Sequence, residues 1–208
     1  MRDEHQRQLA SVRDDLAASG YGRREVDDFA VGIVPFMNRE IVPADRERQA
    51  GFLTNLRSFL NELFDPNYEE QKVHVGYGPP ELEDVRIAAC TACRGSCCNQ
   101  AETHAFLHPK NLERLVDRNN PEALENAMAL YEGHLPDESV KDSCVFHTAT
   151  GCALPREHRS QTCNSWRCPK LRAIETFATS ADGETLLLAA VLDDELRNVQ
   201  TVEVSLDV

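Results

Sequence analysis

Apolar side chains recur at helical spacing through the first third of the chain. Residues 4 to 18 place Leu9, Val12 and Leu16 on one face, which predicts a helix that ends near Gly20. A second helix is predicted over residues 26 to 37, and a third from Pro43 to Asp65. The predicted buried face of the second helix consists of Val26, Phe29, Ala30, Ile33, Val34 and Met37, and that of the third consists of Phe52, Leu53, Leu56, Phe59, Leu60, Leu63 and Phe64. Each of these helices therefore needs a partner that covers its apolar face.

Shorter elements are predicted in the rest of the chain. Glycine and proline residues mark a loop over residues 66 to 80. The elements predicted beyond this loop are a short strand over 102 to 107, helices after Pro109, after Pro121 and around Ala173, an apolar helix through 187 to 191, and a period-two strand over 201 to 208.

These elements predict a mainly α-helical fold with a few short strands, of the α+β class. We expect three regions: a helical N-terminal region over 1–80, a cysteine-cluster metal-binding module over 81–172, and an acidic C-terminal helix and strand over 173–208. We expect the helical N-terminal region to pack on the loop-rich module, and we expect a bound metal to hold the loops of that module together.

Charge and hydropathy narrow the classes of function. The 208 residues carry 35 acidic and 22 basic side chains, a formal net charge of −13. An acidic surface disfavours binding to nucleic-acid phosphates and to anionic lipid, and no apolar run is long enough to span a membrane. Because the polar start is unlike a signal peptide, we expect a cytoplasmic protein with reduced thiols. Reduced thiols favour metal binding, and four disulfides are the alternative.

All eight cysteines of the chain fall in two clusters. The first is Cys90-Thr-Ala-Cys93-Arg-Gly-Ser-Cys97-Cys98, and the second consists of Cys144, Cys152, Cys163 and Cys168. A Cys-x2-Cys pair in a tight loop presents two sulfurs to one tetrahedral site, which makes these eight residues candidate metal ligands. Adjacent side chains point in different directions. Cys97 and Cys98 therefore either serve two neighbouring centres, or one of them is not a ligand.

Basic residues surround the second cluster. Between positions 152 and 172 the chain carries five cations and the single acid Glu157, a local charge of +4. The cations are Arg156, Arg159, Arg167, Lys170 and Arg172. Four thiolates around Zn²⁺ or an oxidised [4Fe–4S] core leave a charge of about −2, which nearby cations would offset. The alternative is a solvated loop whose arginines have no such role.

The two clusters resemble those of the cysteine-cluster family, a zinc- or iron-chelating domain named for its CxxCxxCC signature. The first block of that family is similar to Cys90-x2-Cys93-x-Gly95-x-Cys97-Cys98, and the second is similar to Cys144-x-Phe146, Gly151-Cys152, an Arg-Pro pair and Cys-x4-Cys. Ser160 stands where the family has the proline of that pair, and Pro155 and Asn164 also depart from its pattern. The resemblance covers residues 88 to 170. It implies that the eight thiols bind iron–sulfur or zinc, as in a family that includes a flagellin lysine N-methylase.

The spacing of the cysteines favours iron–sulfur over zinc. Structural zinc sites usually carry two Cys-x2-Cys pairs, whereas this chain has one, and its other spacings are irregular. We therefore expect an iron–sulfur cluster, [4Fe–4S] in type, held in one or two centres. The metal centre would serve a redox or group-transfer reaction, for which no catalytic residue is identified. The alternative is a zinc-stapled module that binds another protein and catalyses nothing.

Four histidines and one tryptophan lie near the clusters in sequence. Histidine can replace cysteine as a ligand, so His104, His108, His147 and His158 are secondary candidates. His147 is the best placed, three residues after Cys144. Trp166, the only tryptophan, is predicted to shield the metal from water.

Overall fold

A computed structural model describes residues 2–21, 29–69, 78–181 and 183–205 of the chain. The structure mixes helix and strand, with 45% of residues helical and 18% in strands, which agrees with the α+β class. In the part of the chain that is described, no helix is both long and apolar enough to cross a membrane.

Seven α-helices and seven strands are present in the described ranges. The helices are α1 (Arg2–Ala18), α2 (Arg46–Leu63), α3 (Glu83–Cys93), α4 (Pro109–Glu113), α5 (Ala123–Glu132), α6 (Gln161–Ser165) and α7 (Pro169–Ala178). The strands are β1 (Ala30–Pro35), β2 (Ile41–Pro43), β3 (Glu138–Val140), β4 (His147–Thr148), β5 (Gly151–Cys152), β6 (Thr185–Leu192) and β7 (Glu195–Glu203). Short 3₁₀ helices lie at Pro80–Leu82, Ser96–Gln100 and Arg156–His158.

The chain divides into two compact units, each assembled from separate segments. The first unit consists of Met1–Asn38, Gly78–Ser96 and Arg167–Val208, and the second consists of Arg39–Tyr77 and Cys97–Trp166. The boundaries of these units differ from those of the three consecutive regions suggested by the sequence, because the first unit combines both chain ends with part of the cysteine-rich segment. The division also separates the eight cysteines into a group of three and a group of five.

A three-stranded sheet in the order β1-β6-β7 forms the centre of the first unit. The central strand β6 is parallel to β1 and antiparallel to β7. Alternate residues of β6 enter two different cores. Leu186, Leu188 and Ala190 pack with residues of α3 and α7, whereas Leu187, Ala189 and Val191 pack with residues of α1. Helix α7 approaches β1 closely at Gly32, where a Cβ atom would lie 2.6 Å from Ile174 Cδ1.

Helix α2 organises the second unit. Asp45 caps it by accepting hydrogen bonds from the N–H groups of Glu47 and Arg48. The buried face of α2 includes Phe52, Leu56, Leu60 and Leu63, which share a core with residues of α4 and α5 and with the segment Cys144–Phe146. The rings of Phe52 and Phe146 meet edge to face, with centroids 4.8 Å apart. A helix predicted from the N-terminal pattern therefore supports the segment that carries a cysteine of the second cluster.

Several sequence-based predictions of elements are confirmed. Helices are present over most of 4 to 18, over 46 to 63, after Pro109, after Pro121 and around Ala173. Pro169 is the first residue of α7, the position that proline favours in a helix. The strand predicted over 201 to 208 is present as far as Glu203, and its last three residues lie outside the described residues.

Other predictions of elements are wrong. The predicted helix over 26 to 37 is strand β1 from Ala30 to Pro35, while residues 26 to 28 lie outside the described residues. The predicted helix through 187 to 191 is the central strand β6. Both strands are rich in apolar residues because sheet faces are covered on each side, so their patterns do not distinguish strand from helix.

Two local predictions near the first cysteine cluster also fail. Residues 102 to 106 form turns where a strand over 102 to 107 was expected, and Glu102, Ala105 and Phe106 have positive φ values that are incompatible with extended backbone. Cys90 and Cys93 lie on helix α3 and not in a tight loop. The loop begins only at Arg94, which ends the helix in the left-handed conformation.

Candidate metal centre

Five of the eight cysteines belong to the second unit. Cys97 and Cys98 lie on the 3₁₀ helix Ser96–Gln100, and Cys144 follows strand β3. Cys152 lies on β5, and Cys163 lies on α6. All eight cysteines fall in the described ranges, and none of them forms a disulfide.

Backbone hydrogen bonds join the first cysteine block of this unit to the second. The N–H of Cys144 donates to the carbonyl of Cys98 at 3.3 Å, and the N–H of Val145 donates to the carbonyl of Glu102 at 3.3 Å. Strands β4 and β5 then pair His147 with Cys152. Thiols from three separate segments therefore enter one region of the second unit.

The hydrophobic core of the second unit contacts three of these cysteines. Cys144 is 6% exposed and belongs to the core itself. Cys98 and Cys152 are half-buried and pack against the same core. Cys97 and Cys163 are exposed at the surface. The thiols of this unit thus range from the core to solvent.

Burial and mutual proximity change the acidity of these thiols. Desolvation raises the pKa of Cys144 to about 12, with smaller contributions from the neighbouring thiols of Cys152 and Cys163. Desolvation likewise raises the pKa values of Cys152 and Cys163, whose sulfurs are partly shielded from water by the groups packed around them. A shared hydrogen bond lowers the pKa of Cys97 to about 7 and raises the pKa of Cys98. Most of these thiols therefore keep their protons at neutral pH.

Two arginines bring positive charge to the thiols. Arg159 donates from Nε to the carbonyl of Leu154 at 2.8 Å and from Nη2 to the carbonyl of Cys152 at 3.4 Å. Its charge opposes the effect of burial on the pKa values of Cys152 and Cys163. The sequence analysis identified this residue among the cations of the second cluster, and the structure places it against the backbone that carries Cys152.

Sequence reasoning missed the other arginine, Arg48 on α2. Its Nη2 donates to the carbonyl of Ser143 at 2.5 Å, next to Cys144. Burial raises the pKa of Cys144, and the charge of Arg48 opposes that rise. The neighbouring Gln49 donates from Nε2 to the carbonyl of Pro136 at 2.8 Å. No spacing in the sequence indicates this role, because α2 lies far from the cysteines along the chain.

Three of the four histidines have structural partners. His147 is 2% exposed, and its Nδ1 lies 2.7 Å from Ser143 Oγ. Nδ1 of His104 accepts from the N–H of Phe106 at 3.0 Å, and His108 forms a capping box with Asn111 at the start of α4. These bonds position loops and helix ends, so their role is local.

The remaining histidine and the tryptophan lie near Cys163 in sequence. The backbone carbonyl of His158 accepts from the hydroxyl of Tyr131 at 2.8 Å. Trp166 is 56% exposed, which does not favour the predicted role of shielding a metal from water.

The first unit holds the other three cysteines. Cys90 and Cys93 lie one turn apart near the end of α3, so they share a helix face. Cys168 caps α7, where its sulfur accepts from the N–H of Leu171 at 3.4 Å. Cys93 and Cys168 both pack against the core formed by the sheet, α3 and α7. A Cys-x2-Cys pair and a third cysteine are thus carried by two helices that share one core.

A buried ion-pair network links those two helices. Glu175 on α7 has a side chain that is 7% exposed, and it pairs with Arg86 on α3 at 3.2 Å. Its second oxygen lies 3.4 Å from Nη1 of Arg167, the residue before Cys168. A Cβ atom on Gly78 would lie 2.8 Å from Arg86 Nη1 and 2.9 Å from Glu175 Oε1. The network therefore fixes α3 and α7 relative to each other, one turn before Cys90 and next to Cys168.

The donor set fits a thiolate-bound metal in its chemistry. Clustered cysteine sulfurs are the ligands that zinc and iron–sulfur clusters take in proteins, and the adjacent arginines would offset the negative charge of a tetrathiolate. In the ranges described, however, no three histidine, cysteine, aspartate or glutamate side chains are already arranged so that they hold a metal ion.

Comparison with known proteins identifies no relative. The chain matches no protein-family model, no curated protein and no solved structure. The arguments that follow therefore depend on the residues and their geometry.

Proposed function

We propose that this chain binds an iron–sulfur cluster, [4Fe–4S] in type, through cysteine thiolates. One observation carries the proposal: Cys98, Cys144 and Cys152 meet at one core of the second unit, and the sulfur of Cys163 lies 3.8 Å from the carbonyl of the core residue Ala105. Burial disfavours the charged form of these thiols, and a bound cation would stabilise that form.

The protein groups around the thiols support this proposal. Arg48 and Arg159 place positive charge beside Cys144 and Cys152, and a tetrathiolate centre carries about −2. The same two arginines donate hydrogen bonds to backbone carbonyls of the cysteine loops, so they hold those loops in place. A bound cluster would supply one-electron chemistry, and the chain's own groups would hold it and adjust its charge.

The second candidate function is a zinc-stapled module that binds another protein. The observation that favours it is the burial of Cys144, which is 6% exposed and part of the core. Structural zinc sites are closed in this way, whereas catalytic metal sites keep an open position. In that case the metal would contribute folding free energy and no chemistry.

Anaerobic purification followed by metal analysis and visible absorption distinguishes the two candidates. A coloured protein that contains iron and acid-labile sulfide supports the cluster, whereas a colourless protein with stoichiometric zinc supports the zinc module. A Cys144→Ser variant purified in parallel should lose metal in either case, because serine is a poor ligand for these metals. A protein without metal, prepared under reducing conditions, would reject both candidates.

A further inference from the structure

We infer that Cys98, Cys144, Cys152 and Cys163 form one four-thiolate centre, and that Cys97 remains an accessible thiol beside it. This inference rests on the proposed function, since it names which thiols of the second unit hold the metal. It resolves the ambiguity of the adjacent pair Cys97 and Cys98.

The first argument is the direction in which each member of the pair faces. Cys98 packs against the core that contains Cys144 and against which Cys152 also packs. Its carbonyl accepts the N–H of Cys144 at 3.3 Å, so the backbones of these two cysteines are adjacent. Cys97 is exposed and does not belong to that core. Of this adjacent pair, Cys98 is therefore the one on the inner side, and Cys97 is the one that solvent reaches.

The second argument is the position of Cys152. It pairs with His147 across the hairpin of β4 and β5, and the N–H of His147 donates to the carbonyl of Cys144 at 2.9 Å. The hairpin therefore returns the chain to the vicinity of Cys144. Arg159 donates to the carbonyl of Cys152 and fixes the strand that carries it.

The third argument concerns Cys163, which completes the set of four. Ser160, which is fully buried, accepts the N–H of Cys163 at 3.0 Å and so fixes the first turn of α6. The thiol of Cys163 is directed at the carbonyl of Ala105 with an S···O distance of 3.8 Å, and Ala105 belongs to the same core. Although Cys163 is exposed, its sulfur therefore lies at the edge of the core that holds the other three.

Cys97 and Cys163 provide a matched pair for the test, because both are exposed and both belong to the second unit. Anaerobically purified protein would be treated briefly with iodoacetamide, with and without prior removal of the metal, and the alkylated fraction of each cysteine would be measured by mass spectrometry. We expect metal removal to increase the labelling of Cys163, Cys152 and Cys98, and to leave the labelling of Cys97 unchanged. The variant Cys97→Ser should retain the metal-dependent protection of Cys163, whereas Cys98→Ser should lose it.

Each other outcome has a separate meaning. Metal-dependent protection of Cys97 would overturn the assignment, and so would loss of the protection of Cys163 in Cys97→Ser. A protein that retains its metal while all five thiols are labelled would also overturn it, although the proposed function would stand. A protein that binds no metal would reject the proposed function itself. Circular dichroism of Cys98→Ser checks that its loss of protection does not reflect unfolding, and the wild-type labelling pattern decides the question if that variant fails to fold.

Discussion

Replacing Glu175 by glutamine would remove the charge from the buried carboxylate that joins α3 to α7. The side chain of Glu175 is 7% exposed, that of Arg86 is 11% exposed and that of Arg167 is 28% exposed. Glutamine has the same size as glutamate but cannot compensate two guanidinium groups. The variant therefore leaves two cations near each other with little access to water.

The structure indicates the size of this effect. Removing one partner of a buried ion pair typically costs about 3–5 kcal/mol, because the other charge stays desolvated. Water still reaches Arg167, so we expect the lower end of this range, about 3 kcal/mol. With a urea m-value of about 2 kcal/mol/M, the midpoint of unfolding should fall by about 1.5 M.

Urea titration followed by circular dichroism measures this loss, with Glu125→Gln as the matched control. Glu125 pairs with Arg57 at 3.0 Å, but their side chains are 68% and 49% exposed. Exposed pairs are screened by water and contribute little to stability, so the control should be nearly neutral. Equal midpoints for the two variants would refute the idea that the Glu175 network fixes α3 and α7. If the Glu175 network holds the start of α7 in place, Glu175→Gln should also increase the alkylation of Cys168.

Three other predictions address the second unit. Arg48→Met should weaken metal binding about 10–100-fold in a chelator competition assay. Losses of this size are typical when a side chain that supports a metal ligand is removed. Arg57→Met on the same helix should have no such effect, and equal losses would contradict the role of Arg48. In metal-free protein, the free energy of unfolding should fall as pH rises from 9 to about 12. Burial raises the pKa of the Cys144 thiol above its value of 9.0 in the unfolded chain, so the thiol ionises first in the unfolded state and favours unfolding. Urea midpoints measured against pH should show this fall, and a profile unchanged by Cys144→Val would contradict the assignment. Phe52→Ala should lower the free energy of unfolding by about 3–5 kcal/mol, since Phe52 is 1% exposed and its ring meets Phe146 edge to face. A decrease of less than about 1 kcal/mol would mean that the core is not packed as described.

Elements with local signals were predictable from the sequence. Helix α2 has a capping aspartate, Asp45, and a stripe of apolar residues at helical spacing, and helices α4 and α7 begin at prolines. Strands β1 and β6 lack such signals. Both faces of the sheet are covered by helices, so strand β6 is apolar at nearly every position, and its helical or extended conformation depends on tertiary contacts.

The candidate site was predictable as a set of residues but not as an arrangement. Clustered spacing identified the eight cysteines, and local charge identified Arg159. The separation into five cysteines of one unit and three of the other depends on long-range packing, since Cys163 and Cys168 are close in sequence and belong to different units. Arg48 acts through a hydrogen bond to the carbonyl of Ser143, a contact that only the folded chain creates.

X-ray absorption spectroscopy tests the central claim most directly. Anaerobically purified protein would be measured at the iron and zinc edges, and the ligands of the metal would be identified from their scattering. The account predicts a first shell of sulfur alone, with metal–sulfur distances near about 2.3 Å if the metal is zinc, and with additional metal–metal scattering if it is an iron–sulfur cluster. A first shell of oxygen or nitrogen, or a protein with no metal at either edge, would contradict the proposal that the cysteines hold a metal centre.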